Sequence, residues 1–195
     1  STFGDAVAEH HAVRDDVGVW DASPLRKWGF DGADALAAAD RVFTNDMLGL
    51  EVGQVRYAPF CDEHGKMIDD CTVMVRSADE IRFCGANDRD FHLFRELAPA
   101  GISVAEITDA TPHLCLQGPL SRAMLQSLAN QDLSNAAFPY YTFREDIEIA
   151  GVPVFMTRLG YTAELGYELW VDRDHALELW DALLRELTPQ GMKVI

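Results

Sequence analysis

Lysine is scarce in this 195-residue sequence, which has three, namely Lys27, Lys66 and Lys193. Lys and Arg together number 16 against 32 Asp and Glu, giving a formal net charge of −16. A surface this acidic repels phosphate groups, so we expect neither nucleic acid nor an anionic membrane surface as a partner. Two interpretations of the charge stay open: a solubility- or salt-adapted surface, and an acidic face for a basic partner.

Long apolar runs are missing as well. No stretch approaches the ~20 consecutive apolar residues that a membrane helix needs, and no basic segment followed by an apolar one opens the chain as in an export signal. Hydrophobic residues nevertheless make up 48% of the sequence. Because a chain of this length can bury roughly two-thirds of its unfolded surface, we expect a folded protein of one large domain or two small ones.

Cysteine is limited to Cys61, Cys71, Cys84 and Cys115. No C-x-x-C pair occurs and none of the four stands at a zinc spacing with a histidine, so the sequence predicts no metal site. Cysteines in apolar, strand-like runs are typical of buried reduced thiols, which favours a cytoplasmic location. The phosphate-binding loop, the dinucleotide-binding glycine motif and the hydrolase nucleophile motif are all absent.

Helix and strand signals alternate along the chain, and several strand pairs are predicted to be hairpins. The helices are expected over residues 6–13, 34–43, 88–97, 121–128 and 175–187, and the clearest hairpins over 54–75 and 146–157. This pattern favours an α+β fold with mixed or antiparallel sheets and flanking helices over a doubly wound parallel sheet. A polar stretch at 130–135 suggests a hinge, so we predict subdomains 1–129 and 130–195, with residues 1–25 packing against the second half.

Two adjacent carboxylates interrupt the apolar segment Gly65-Lys-Met-Ile-Asp-Asp-Cys-Thr-Val-Met-Val75. In a strand, alternation places Asp69 and Asp70 on opposite faces, so that one points inward. An inward carboxylate is costly unless it is paired or used. The alternative is a strand that begins only at Cys71, with both aspartates in the turn.

A second polar cluster is Arg158-Leu-Gly-Tyr-Thr-Ala-Glu-Leu-Gly-Tyr-Glu-Leu-Trp170. Glu168 comes just before an apolar run and is a candidate for the wall of a cavity, where a carboxylate suits a fork of N–H donors. A polar loop with capping carboxylates is the competing interpretation. The aromatic residues of Pro139-Tyr-Tyr-Thr-Phe143 would either stack on a planar ligand or pack in the core.

Five stretches, in order along the chain, carry a resemblance to a known family. They are Glu9-His-His-Ala-Val-Arg14 with Gly18-Val-Trp-Asp21, Thr44-Asn-Asp46, Gly65-Lys-Met-Ile-Asp-Asp70, Leu116-Gln-Gly-Pro119 and Gly160-Tyr-Thr-Ala-Glu-Leu-Gly-Tyr-Glu168. Together they resemble the tetrahydrofolate-dependent aminomethyltransferases, the T-protein of the glycine cleavage system and its relatives. The G-x-x-x-D-D and G-Y-T-x-E-x-G-Y-E segments are the specific parts of the match.

The resemblance implies tetrahydrofolate as the cofactor and a site residue at each of five positions. Asp70 matches the catalytic carboxylate beside N5 of folate, and Glu168 matches the carboxylate that binds the amino-pyrimidine edge of the pterin. Tyr57 matches an aromatic residue lining the site, and Tyr141 and Tyr161 match further folate-contacting tyrosines. These roles imply a one-carbon transferase that moves an aminomethyl-derived methylene, or a methyl group, to N5.

Departures from the family pattern leave the one-carbon donor open. Pro24-Leu-Arg-Lys27 replaces the usual His-Met segment, Ala163 replaces a glycine, and Asn87 is the candidate substitute for a folate-contacting asparagine. The alternatives are therefore a folate-dependent demethylase of a sulfonium or methoxyaryl compound, and a non-catalytic folate-binding domain. Besides the small-molecule donor, a lipoyl carrier protein is a possible partner. The family's C-terminal barrel domain is expected to be absent from this sequence, and two explanations stay open: the sequence is a piece of a longer protein, or a second chain supplies the missing half.

Overall fold

The computed structural model describes residues 4–87 and 89–195, which divide into two compact units. Unit 1 comprises residues 1–23 and 110–195, and unit 2 comprises residues 24–109. The predicted division at 129/130 differs from this one because the first strand of the chain pairs with strands that come after residue 110. The α+β class with antiparallel sheets and flanking helices is confirmed. Among the described residues, no helix is long and apolar enough to cross a bilayer.

Unit 2 is built on a five-stranded antiparallel sheet with strand order β3-β4-β5-β2-β6. Its strands are β2 (Arg26–Asp31), β3 (Val55–Cys61), β4 (Met67–Ser77), β5 (Glu80–Gly85) and β6 (Ser103–Glu106). Its helices are α2 (Ala35–Val42) and α3 (Asp90–Leu97). The predicted first residue of α3, Asp88, lies outside the described residues.

The core of unit 2 is aromatic. Phe94 of α3 is fully buried and lies with its ring centroid 5.2 Å from that of Trp28, 5.1 Å from Phe60 and 4.7 Å from Phe83. The contacts with Trp28 and Phe83 are edge-to-face and that with Phe60 is tilted, and edge-to-face pairs at such separations are favourable beyond the apolar area they bury. Cys71 and Val73 of β4 belong to the same core cluster as Phe94. Helix α3 therefore packs on the face of the sheet from which the odd-numbered residues of β4 project.

Unit 1 is built on a six-stranded sheet with strand order β11-β1-β7-β10-β9-β8, in which β1 and β11 are parallel and the other described pairs antiparallel. Its strands are β1 (Gly18–Asp21), β7 (His113–Gln117), β8 (Phe143–Ile149), β9 (Val152–Thr157), β10 (Gly166–Trp170) and β11 (Lys193–Val194). Its helices are α1 (Ala6–Asp15), α4 (Ser121–Gln126) and α5 (Ala176–Leu187).

Helices α4 and α5 supply the apolar core of unit 1. Leu125 of α4 and Leu183 of α5 share one cluster of buried residues with Leu116, Tyr167 and Leu169 of the central strands. In a strand, alternate residues point to opposite faces. The neighbours of these three strand residues therefore project from the other face of the sheet, and it is there that the polar side chains of unit 1 collect.

Candidate functional site

Strand β7 carries polar side chains on one face only. Leu114 and Leu116 belong to the helix-covered core, whereas His113, Cys115 and Gln117 alternate with them and lie on the opposite face. All five residues are buried. Burying polar groups costs free energy unless each finds a hydrogen-bonding partner or a ligand. This face of unit 1 is therefore a candidate functional site rather than ordinary core.

Glu168 lies in the middle of β10, directly between two polar neighbours on adjacent strands. Its register partners are Cys115 on β7 and Thr157 on β9. The hydroxyl of Thr157 donates to Oε2 of Glu168 at 3.0 Å, and the glutamate is only 9% exposed. The polar-loop interpretation is thus wrong for this residue, because the strand begins at Gly166, three residues before the apolar run that starts at Leu169.

Gln117 anchors the loop that precedes β10. Its Oε1 accepts from the backbone N–H groups of Tyr161 at 3.1 Å and Thr162 at 3.0 Å, and from the hydroxyl of Thr162 at 2.6 Å. The close approach requires glycine, since a Cβ on Gly160 would lie 2.3 Å from Nε2 of Gln117 and one on Gly166 would lie 2.7 Å from its Cγ. Gly160 and Gly166, which both belong to the segment that carries the family resemblance, therefore leave room for the buried side-chain amide of Gln117.

Tyr141 and Tyr161, the two predicted folate-contacting tyrosines of unit 1, are not among the strand partners of Glu168. Tyr141 precedes β8 with a left-handed φ of 60°, its N–H donates to the carbonyl of Arg158 at 3.0 Å, and its ring meets that of Tyr140 edge-to-face at 4.5 Å. Tyr161 is 93% exposed and lines a cleft of 410 Å³ in unit 1. Their predicted contacts with folate stay predictions.

Arg158, next to Thr157, is a buried cation held by aromatic rings. Its guanidinium carbon lies 5.5 Å from the ring centroid of Tyr140 and 5.4 Å from that of Tyr167, and its Nη2 donates to Oδ1 of Asn135 at 3.1 Å. Cation–π contacts of this kind strengthen when the cation is desolvated, and Arg158 is 7% exposed. These contacts anchor the residue that directly follows β9.

Asp70 and Tyr57 belong to unit 2 and share one face of its sheet. Pro59 is the register partner of Asp70 and Thr72 that of Tyr57, so the two predicted site residues are diagonal neighbours on β4 and β3. Such neighbours lie roughly 7–8 Å apart. Asp70 is half-buried and Tyr57 is 49% exposed. Because β4 begins at Met67, the alternative that places both aspartates in a turn is wrong.

Asp69 is the aspartate that faces the core of unit 2, on the same side as Cys71 and near the start of α3. Nδ2 of Asn87 donates to its Oδ2 at 2.8 Å, and its carboxyl also forms a hydrogen bond with that of Asp90. Asn87, the candidate for a folate contact, is thus a partner of Asp69.

The two carboxyls of this pair titrate in opposite directions. Burial, followed by the hydrogen bond and the charge of Asp69, raises the pKa of Asp90 to about 7. Burial also opposes ionisation of Asp69, but hydrogen bonds from the Asn87 side chain and from backbone groups outweigh it and hold the pKa of Asp69 below its usual value. Asp90 is therefore the carboxyl of the pair that holds a proton below about pH 7, whereas Asp69 ionises first.

Sequence reasoning missed His113, Cys115, Thr157 and Asp90. For β7 a signal was present, because polar and leucine residues alternate strictly from His113 to Gln117, as they do in a strand with one apolar face. Thr157 and Asp90 gave no such signal, since each acquires its partner through strand register or helix packing. A cleft of 710 Å³ in unit 1 lies on the α5 side and contains none of the predicted site residues.

Comparison with known proteins shows which family this chain belongs to. The family model described as the GCVT N-terminal domain matches residues 1–195. The aminomethyltransferase of Geobacillus sp. (strain WCH70) is 33% identical over 194 residues, covering 97% of this chain and 52% of that protein. The aminomethyltransferase of Halalkalibacterium halodurans is 35% identical over 193 residues, with the same coverage of 97% and 52%. The chain thus spans about half the length of these curated relatives.

Solved structures show the same fold. The crystal structure of glycine cleavage system aminomethyltransferase T from Bartonella henselae superposes with a TM-score of 0.82 at 22% identity, covering 96% of this chain and 50% of that one. A chain of the heterotetrameric sarcosine oxidase from Corynebacterium sp. U-96 gives a TM-score of 0.67 at 18% identity, covering 94% and 91%. By the match along its whole length, the chain belongs to the GCVT N-terminal domain family.

Proposed function

We propose that this chain binds tetrahydrofolate and takes part in the transfer of an aminomethyl-derived one-carbon unit to N5 of that cofactor. Membership of the aminomethyltransferase family supports the reaction class. The observation that carries the proposal is the buried carboxylate of Glu168, held through one oxygen by the hydroxyl of Thr157. A buried carboxylate with a fixed orientation is suited to a ligand that presents several N–H donors in one plane.

The residues around Glu168 fit the pterin of tetrahydrofolate in their chemistry. The amino-pyrimidine edge of a pterin is a planar fork of N–H donors, which a carboxylate accepts in a bidentate manner. Beside Glu168, the rings of His113 and Trp170 stack with centroids 4.3 Å apart and planes 9° from parallel. A rigid aromatic pair of this kind favours a flat ligand. We therefore assign Glu168 the role of binding the pterin edge.

We assign Asp70 the catalytic role. Tetrahydrofolate supplies a nucleophilic but weakly basic N5. The carboxylate of Asp70, when ionised, would orient that nitrogen and stabilise the positive charge that develops on it or on the leaving amine. The half-buried position of Asp70 in β4 reduces solvent screening of this charge. Tyr57, its diagonal neighbour on β3, would line the same face.

The one-carbon donor we propose is an aminomethyl group, presented by a lipoyl carrier protein as the family resemblance implies. Tyr141 and Tyr161 are proposed as further folate contacts. Their placement just before β8 and in the loop before β10 is compatible with ligand binding by positioned aromatic residues. The proposal for the donor is separable from that for the cofactor, and the experiments below test them separately.

Binding is tested by isothermal titration of the chain with tetrahydrofolate. Glu168→Ala is expected to weaken binding by roughly 1–3 kcal/mol, because it leaves the buried donors of the ligand unpaired. Glu178→Ala removes an exposed glutamate of α5 and should leave the affinity unchanged. Equal affinities for wild type and Glu168→Ala would contradict the assigned role, provided both proteins show the same unfolding temperature.

Turnover is tested with Asp70→Asn, which keeps the shape and removes the charge. We expect tetrahydrofolate binding to be largely retained and turnover to fall by about 100-fold or more. Asp109→Asn, at an exposed position of unit 2, is the matched control. Wild-type turnover in Asp70→Asn would refute the assignment. A panel of aminomethyl-lipoyl, sulfonium and methoxyaryl donors distinguishes a transferase from a demethylase. If the chain binds folate but turns over none of these donors, it is a non-catalytic folate-binding domain.

A further inference from the structure

His113, Cys115 and Glu168 bring three different metal-ligating atoms together in the interior of unit 1. One nitrogen of the imidazole, the thiol sulfur and one carboxylate oxygen all lie within 4.8 Å of one another. The three residues are 0%, 3% and 9% exposed. Sequence spacing predicted no metal site, because the third donor comes from β10, more than fifty residues further along the chain.

Strand geometry explains the convergence. His113 and Cys115 are two residues apart on β7, so both side chains project from the same face of the sheet. Glu168 is the register partner of Cys115 on the antiparallel neighbour β10, and directly opposite residues have Cβ atoms about 5 Å apart. The three donors thus form a triangle on one face, set by the backbones of two adjacent strands of a six-stranded sheet.

Neighbouring side chains hold two of the three donors in orientation. Thr157 donates to Oε2 of Glu168 at 3.0 Å from the strand on the other side. The indole of Trp170 stacks on the imidazole of His113, 4.3 Å away between ring centroids and 9° from parallel. Metal-binding side chains are characteristically fixed by such outer contacts, which set the direction of the ligand atom.

We propose that His113, Cys115 and Glu168 form a binding site for Zn²⁺, with one coordination position left for an exogenous ligand. Thiolate and imidazole select zinc over the hard cations, which prefer oxygen donors alone. In a tetrahedral zinc centre, with Zn–S of about 2.3 Å and Zn–N and Zn–O of about 2.0–2.2 Å, the ligand atoms are about 3.3–3.6 Å apart. Because the three donor atoms lie within 4.8 Å of one another, metal binding requires them to approach each other by at most about 1.2–1.5 Å.

Charge balance favours a divalent cation at this place. An ionised thiolate and an ionised carboxylate carry two negative charges between them, and isolated charges are costly in an apolar interior. Zn²⁺ neutralises both, and binding releases the thiol proton to solvent. Three protein donors leave the fourth tetrahedral position open, as in zinc sites that bind a water or a substrate atom.

The site is tested on the reduced, chelator-treated wild-type chain in the absence of folate. Titration with Co²⁺ is expected to give one metal per chain, with a thiolate-to-cobalt charge-transfer band in the near ultraviolet and strong visible bands of tetrahedral cobalt. Zn²⁺ should then displace Co²⁺ with the same stoichiometry. A wild-type chain that binds no metal, or binds it without the charge-transfer band, would overturn the proposal and leave a hydrogen-bonded polar cluster as the explanation.

Variants identify the ligands. Cys115→Ala should abolish the charge-transfer band and weaken Zn²⁺ binding by more than about 100-fold, since even an outer contact typically contributes 10–100-fold. Thr157→Val, which removes only the outer hydrogen bond, should weaken binding by about 10–100-fold. Cys84→Ala is the matched control, a buried strand cysteine of unit 2, and should bind as wild type. Equal loss in Cys84→Ala and Cys115→Ala would refute the assignment.

A second readout rests on the proposed function, because Glu168 is assigned to both ligands. Saturation with Zn²⁺ should then lower the affinity for tetrahydrofolate, and the effect should disappear in Cys115→Ala. The metal titrations are carried out without folate, so a chain that binds Zn²⁺ and no tetrahydrofolate would contradict the proposed function and support the metal site. Zn²⁺ and tetrahydrofolate bound independently would contradict the shared use of Glu168.

Discussion

The buried carboxyl pair of unit 2 makes a quantitative prediction about pH. Asp90 is 3% exposed, its Oδ2 has no hydrogen-bond partner among the described residues, and its carboxyl is hydrogen-bonded to that of Asp69. We consider Asp90→Asn, which resembles the protonated acid in shape, donates a hydrogen bond and stays neutral at every pH. The substitution should therefore reproduce the low-pH form of Asp90 at high pH.

The sign and size of the effect follow from the pKa. The pKa of Asp90 is raised from 3.8 to about 7, so between these values the folded chain holds a proton that the unfolded chain has lost. The free energy of unfolding must then fall as pH rises from about 4 to about 7, by at most about 1.4 kcal/mol per pH unit, or roughly 4 kcal/mol in total. Asp69, whose pKa is lowered, contributes the opposite slope only below about pH 4.

The assay is urea unfolding between pH 4.5 and 8.5, combined with NMR titration of the carboxyl carbons. Wild type should lose stability across the window as the Asp90 carboxyl resonance titrates, whereas Asp90→Asn should lack this component and exceed wild type in stability at pH 8. Asp109→Asn, at an exposed position, should follow wild type. Parallel pH profiles for wild type and Asp90→Asn would show that Asp90 does not carry the proton, and the reasoning would be refuted.

Two further predictions concern the frame of the candidate site in unit 1. Gly166→Ala places a Cβ 2.7 Å from Cγ of Gln117, and the overpacking should lower the free energy of unfolding by about 1–3 kcal/mol. Gly4→Ala, where a Cβ meets nothing within 4 Å, is the control for thermal unfolding. Arg158→Ala removes a buried guanidinium from between two tyrosine rings and should destabilise by about 2 kcal/mol. Arg158→Met retains the packing without the charge. If Arg158→Met loses as much stability as Arg158→Ala, the effect belongs to the cation. If Arg158→Met keeps the stability of wild type, a stabilising role of the cation is contradicted.

Much of the fold was predictable because its strongest signals are local. The hairpin of β3 and β4 follows from two strand-like segments around a four-residue loop, and helix α5 follows from an apolar stripe at helical spacing. Strands β1 and β11 were not predicted. They span four and two residues and pair in parallel across most of the chain, so their stability comes from non-local pairing that no short window of sequence contains.

The candidate site was predictable only in part, for the same reason. The residue pattern singled out Asp69, Asp70 and Glu168 as carboxylates within or beside apolar segments, and all three lie in strands. The sequence could not show which aspartate of the adjacent pair faces the core, because alternation gives opposite faces without saying which is which. The packing of α3 decides it, by bringing Asp90 to Asp69 and leaving Asp70 on the other face with Tyr57.

Strand β7 supports the proposal that unit 1 binds a ligand, whichever of the two proposed ligands it is. All five of its residues are buried, yet three are polar, and each buried polar group without a partner costs about 1–3 kcal/mol. Gln117 recovers part of this cost by holding the loop before β10. His113 and Cys115 lie on the same buried face as Glu168, and one ligand atom of each of the three residues lies within 4.8 Å of the others. Because the proposed metal ion and the proposed pterin edge both require Glu168, the chain is expected to bind one of them at a time.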